Sequence, residues 1–138
     1  MLSPYLFYQD TCEAAFNYYA KVLGGKIDAM MRSSDAPPDV PAAPGREKMI
    51  MHARMSLPDG SVLMASDVPA EHFHKPQGFS ISLTVKDPAD GERKFNALAD
   101  GGSVTNTVLP GASTAVTSSA VAGSSVATSL AVLGNGGN

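Results

Sequence analysis

Within "KMIMHARMSLPDGSVLMASD", residues 48–67, one imidazole and one guanidinium stand two residues apart, at His52 and Arg54. Side chains two apart on a strand share a face. A neutral imidazole near its ordinary pKa exchanges a proton near neutral pH, and an arginine beside it can hold a carboxylate or phosphonate. His52 is thus the candidate acid–base residue and Arg54 the candidate anion anchor. The competing reading is a structural histidine, bonded to a neighbouring strand. A second group, Glu71, His72 and His74 in "EHFH", offers donors for a metal ion that His52 would complete. An isolated His-x-His pair in a loop lacks fixed geometry, so a solvated loop is the favoured reading there. Arg32 and Arg46 are further anion partners, although single arginines are usually surface charges.

Several function classes are excluded. The net charge is −3 with 17% charged residues, and no Lys/Arg cluster marks a nucleic-acid footprint. Cys12 is the one cysteine, which rules out an intramolecular disulfide and multi-cysteine zinc motifs and fits a reducing cytoplasm. "MLSPYLFYQD" has no basic n-region, and no stretch approaches the roughly 20 apolar residues of a membrane span. A cytoplasmic protein with neither a membrane nor a nucleic-acid partner is expected. The 138 residues suit a single domain.

The elements that must position His52 and Arg54 follow from periodicity. Leu2–Tyr8 reads as a strand. From Thr11 the residues Cys12, Ala15, Phe16, Tyr19, Val22 and Leu23 recur at helical spacing, with Asp10 and Glu13 at the acidic start and Gly24-Gly25 as the stop. On that stripe Cys12 is a buried, inert thiol rather than a nucleophile. Lys26–Arg32 is a second strand, and the segment holding Pro37, Pro38, Pro41 and Pro44 is a loop. Lys48–Leu57 and Ser61–Asp67 are strands joined at Pro58-Asp59-Gly60. On the first of these, alternation predicts Met49, Met51, Ala53, Met55 and Leu57 against a helix, and Ile50, His52, Arg54 and Ser56 on the other face. All methionines but Met1 lie between Met30 and Met64, which reads as core and alternatively as a flexible pocket wall.

The pattern then restarts. "FSISLTV", Phe79–Val85, alternates strictly, with Ser80, Ser82 and Thr84 on its polar face. Asp87 and Pro88 cap a helix that runs to Gly101-Gly102. Strand, helix ending in Gly-Gly, then strand occurs twice, which predicts an internal repeat. Beyond Asp100 no residue is charged, and Ala, Ser, Thr, Val, Gly and Leu dominate. That composition permits strands around Val104–Leu109, Thr114–Ala122 and Val126–Leu133 and equally suits a poorly packed segment.

The stretches "PYLFYQDTCEAAFNYYAKVLGGKIDAMMR", "KMIMHARM", "VLMASD" and "GFSISLTVKDPADGERKFNALADGGSV" resemble the PhnB-like branch of the vicinal oxygen chelate superfamily, the group of glyoxalases, bleomycin-resistance proteins and extradiol dioxygenases. The likeness covers about the first three quarters of the chain, and nothing after Gly102 matches the family's usual ending. It implies an α+β fold of paired βαβββ modules, curled mixed sheets around a concave small-molecule cleft, with an atypical C-terminal quarter. The modules would span residues 1–68 and 78–138, with 107–138 departing from the pattern. It also implies a homodimer.

Metal-using members of that superfamily draw His, Glu and Gln ligands from the first and fourth strands of both modules. The resemblance puts those positions at Pro4, near Leu63, and at Ser80, with the fourth in a tail that has no Asp, Glu, His or Cys. No metal and no cofactor is therefore expected. The expected ligand contacts are Arg54, Leu63, Ser80 and Ser82, with His52 as the catalytic candidate. The leading expectation is a small-molecule binding protein. The alternatives are an enzyme using His52 as acid or base, and a non-catalytic oligomeric scaffold. Names of ubiquinone methylation attach to the family too, but no Gly-rich methyl-donor loop follows the first strand.

Overall fold

The computed structural model describes residues 1–75, 81–100, 103–106, 113–121 and 124–134. The elements run β1 (Tyr5–Tyr8), α1 (Cys12–Leu23), β2 (Lys26–Arg32), β3 (Ile50–Ser56), β4 (Val62–Asp67), β5 (Ile81–Val85), α2 (Pro88–Ala99), β6 (Ser103–Asn106), β7 (Ser113–Val121) and β8 (Ser124–Gly134). The chain divides into two compact units, Met1–Phe73 and His74–Asn138. The fold is α+β, and βαβββ occurs twice. Each unit holds one mixed four-stranded sheet with the same connectivity, β1-β4-β3-β2 and β5-β8-β7-β6. In both, the first strand lies parallel to the last and the other pairs are antiparallel. The repeat expected from the sequence is therefore present, and residues of the charge-free tail form β6, β7 and β8.

In the first unit α1 packs on β2, β3 and β4. All six residues of its predicted stripe are buried, and Phe16 and Cys12 are fully so. Burying a side chain of the size of Phe or Leu contributes roughly 1.5–3 kcal/mol. On the sheet, Leu6, Tyr8, Ala53, Met55, Leu63 and Ala65 are buried. Ala53 and Ala65 lie in register, as do Met55 and Leu63. Gly24 ends α1 in the left-handed conformation, φ 70°. Gly25 follows where a Cβ would come within 2.7 Å of Met55 Sδ, so a larger residue there would force the buried Met55 side chain to shift.

Two irregularities break the alternation that the sequence suggests. Between Met31/His52 and Arg32/Ile50, β3 carries one more residue than β2, and that residue is Met51. Such a bulge reverses side-chain facing beyond it. Ile50 is accordingly 1% exposed and Met51 is 39% exposed, the reverse of the sequence expectation. In β2 the extra residue is Asp28, between Ile27 opposite Met55 and Ala29 opposite Arg54.

In the second unit the Asp87 carboxylate accepts a hydrogen bond from Ala89 N at 3.1 Å, and Pro88 opens α2, as the sequence indicates. Ser80, together with Phe79, lies outside the described residues, and so does the side chain of Ser82, whose backbone sits in β5 opposite Ala131.

Candidate functional site

The face of the first sheet turned away from α1 gathers the unusual side chains. Since Leu6 and Tyr8 are buried toward the helix, Tyr5 and Phe7 project to the other face, where they are 41% and 53% exposed. Ala53 and Met55 are buried likewise, so His52, Arg54 and Ser56 share the face of Tyr5. Tyr5 is in register with Met64, and Met64 with Arg54. From β1 the Tyr5 ring reaches over β4 to β3. Its hydroxyl and His52 Nδ1 are 3.1 Å apart, and the rings lie 5.8 Å apart at 31°. Phe7 extends the cluster, with its ring 5.4 Å from that of Tyr5.

Arg54 is held differently from expectation. Its Nη1 donates to Asp28 Oδ2 at 2.6 Å, and Ser56 Oγ donates to Asp28 Oδ1 at 3.2 Å. The bulge in β2 brings Asp28 to this position, so the guanidinium already has a carboxylate partner. Arg32 and Arg46 are also paired within the chain. Arg32 forks onto both Glu13 oxygens at 2.8 and 3.0 Å, and Arg46 meets Asp10 at 3.1 Å. The Arg32 guanidinium holds the Glu13 carboxyl below the ordinary range.

Leu63 does not join the His52 face. It is 8% exposed and in register with Met55, so it packs the core on the helix side, and Met64 takes the place beside Arg54. The reason is strand parity. Asp67 caps α1, which fixes Leu63, Ala65 and Asp67 on the helix side and Met64 on the other. Pro4 precedes β1, and its carbonyl accepts from Met64 N at 3.1 Å. Glu71 and His72 lie in a one-turn 3-10 helix, Ala70–His72, and both are exposed, as is His74. Among the described residues no group of three or more His, Cys, Asp or Glu side chains is gathered for a metal ion.

Three residues went unnoticed in the sequence. Tyr5 and Phe7 look in the sequence like simple strand-formers, and their alternation with Leu6 and Tyr8 is the signal that one pair faces away from the helix. Asp67, at the end of β4, is the third. Its Oδ1 accepts from Cys12 N at 2.9 Å and its Oδ2 from Ile50 N at 2.8 Å. One carboxylate thus ties the start of α1 to the start of β3. Burial raises the Asp67 pKa despite these two bonds. Burial, followed by the neighbouring Asp67 and Glu13 charges, pushes the Cys12 thiol up to about 12, which agrees with the inert role read from its helical position.

The doubled βαβββ arrangement defines the chain as a PhnB-like member of the glyoxalase/bleomycin-resistance superfamily. Within it, the chain belongs to the family described as 3-demethylubiquinone-9 3-methyltransferase, whose model matches residues 1–117. Protein PA1353 from Pseudomonas aeruginosa is similar in structure, with a TM-score of 0.84 and 32% identity over 98% of this chain and 97% of that one. The PhnB protein from Bacillus cereus superposes with a TM-score of 0.76 at 18% identity, covering 96% of this chain and 98% of its own. The glyoxylase/bleomycin resistance protein/dioxygenase domain from Frankia sp. EAN1pec gives 0.66 at 17% identity, covering 98% and 96%. No curated protein matches the chain. Among the described residues no helix is long and apolar enough to cross a membrane.

Proposed function

We propose that this protein binds a small organic molecule against the Tyr5–Phe7–His52 face, without the metal ion used elsewhere in the superfamily. The observation that carries the reading is the aromatic pair left exposed beside a hydrogen-bonded imidazole, on the sheet face that no helix of the first unit covers. Exposed aromatics grouped with a few polar atoms suit a ligand better than they suit solvent. The donor set does not fit a divalent ion. Pro4 and Leu63 have no ligating atoms in their side chains, and the tail has no His, Cys, Asp or Glu to supply a fourth position. We do not carry over the methyl transfer in the family's name, because the turn after β1, Gln9-Asp10-Thr11, has no glycine for a methyl-donor loop.

Titrating a panel of small aromatic and aliphatic compounds into chelator-treated protein, and following the imidazole signals by NMR, tests this. Only three histidines are present, so His52→Ala identifies the signal. Binders that move the His52 resonance in metal-free protein support the reading. Binding that requires added divalent metal overturns it.

The Tyr5–His52 contact favours a second reading, an enzyme in which His52 passes a proton between ligand and Tyr5. Product formation from a bound compound, lost in His52→Ala, separates the two. We also propose a homodimer, since among the described residues β1 and β2 are the edge strands of the first sheet. Light scattering at tens of micromolar reads it directly.

A further inference from the structure

Building on the proposed binding face, we infer that it selects a neutral planar aromatic carrying a hydroxyl or carbonyl over the matching aromatic carboxylate, because Arg54, the cation beside His52 on that face, is already paired with Asp28. The sequence alone suggests the opposite, an arginine beside a histidine waiting for an anion. Two features of the structure reverse that reading. The first is the 2.6 Å contact between Arg54 Nη1 and Asp28 Oδ2, supported by Ser56 Oγ on the other carboxylate oxygen. An incoming carboxylate must displace Asp28 or sit next to it, and like charges at that spacing repel. The other cation on this face, Lys26, is exposed at the far end, in register with Ser56 and four residues along from His52.

The second feature is the Tyr5–His52 pair, which accommodates either hydrogen-bonding sense without a net charge. When Tyr5 OH donates to Nδ1, the imidazole proton sits on Nε2 and can be given to a carbonyl. When Nδ1–H donates to the Tyr5 oxygen, Nε2 accepts from a ligand hydroxyl. Tyr5 and Phe7, with ring centroids 5.4 Å apart, supply an aromatic surface for a planar ring. Together these make a polar contact suited to an uncharged oxygen and an apolar contact suited to a flat ring.

The test compares 4-hydroxyacetophenone with 4-hydroxybenzoate at pH 7, two probes of nearly equal shape that differ in charge. Affinity is read from the His52 imidazole signal. The neutral probe should bind tighter by about tenfold, equivalent to roughly 1.4 kcal/mol. Asp28→Asn frees Arg54 while keeping the shape of the side chain, and should shrink or reverse that preference. A wild-type ratio at or below one overturns the proposal whether or not the variant folds. Tighter binding of the carboxylate to the wild type overturns the selectivity while leaving the binding face standing. So does a ratio that Asp28→Asn leaves unchanged. If neither probe moves the His52 signal while another compound of the panel does, the selectivity is refuted and the binding face stands; if no compound of the panel does, both are refuted.

Discussion

Ile50 and Met51 have opposite expectations from pattern and from structure, and truncating each to alanine decides between them. Strict alternation puts Met51 in the core and Ile50 on the other face. The bulge at Met51 instead leaves Ile50 1% exposed and Met51 39% exposed. Ile50→Ala removes about three buried carbons at roughly 0.8 kcal/mol each, or about 2.4 kcal/mol before any cavity. Incomplete collapse around the site raises the expected cost into the range of about 2–5 kcal/mol. Met51→Ala shortens a side chain that keeps much of its surface in water, and should cost less than about 1 kcal/mol. With urea slopes of roughly 1–3 kcal/mol/M for a protein of this size, Ile50→Ala should move the midpoint by about 1 M or more. The Met51→Ala midpoint should stay within about 0.5 M of the wild type. Equilibrium urea unfolding followed by far-UV circular dichroism suffices. A larger loss for Met51→Ala than for Ile50→Ala would show regular alternation through β3, and would refute both the bulge and the facing derived from it.

The carboxylate of Asp67 should show its burial in the pH dependence of stability. Its pKa is raised in the folded state, so its contribution is fully present below the unfolded value of about 3.9 and is lost as pH rises through the higher folded value. Asp67→Ala deprives Cys12 N and Ile50 N of their acceptor and should cost about 1–3 kcal/mol. The gap between wild-type and variant urea midpoints should narrow as pH rises from about 3.5 to 7, and a widening gap would contradict the raised pKa. For Cys12, fully buried and with its thiol pushed up to about 12, a disulfide reagent at pH 8 should react at the rate of unfolding. Complete labelling within seconds of mixing with folded protein would exclude that burial.

Periodicity carried most of the first unit because its signals are local. The stripe from Cys12 to Leu23 sets the buried face of α1 by itself, and Pro58-Asp59-Gly60 turns the chain where Gly60 adopts φ 86° and donates to Leu57 O. The two bulges were not legible. An extra residue in one strand is defined only against its partner, and nothing in "KIDAMMR" or "IMHARMS" fixes that register alone. From the missed bulge at Met51 came the wrong faces for Ile50 and Met51, and from the one at Asp28 came the unseen partner of Arg54. Placing His52 opposite the helix nonetheless agrees with the structure, because alternation from His52 to Ser56 is unbroken. Tyr5 could not be linked to His52 from sequence, since their contact depends on β1 inserting beside β4. The resemblance alone points to Leu63, and strand parity puts it on the helix side.

The parallel pairing of β1 with β4 has a consequence for how the chain folds as it is made. Tyr5 finds its backbone partner at Met64, whereas β2, β3 and β4 pair with neighbours joined by loops. Closing that long loop is the slow, entropically costly step of the unit, so the antiparallel strands and α1 can assemble while the first strand waits. The same holds again where Ile81 must wait for Leu130. Until each closing strand leaves the ribosome, the opening strand presents bare amide and carbonyl groups to any other chain nearby. Hydrogen exchange should then find the amides of Tyr5–Tyr8 among the first of the sheet to open, and the Tyr5 hydroxyl would reach His52 only after the rest of the unit is in place.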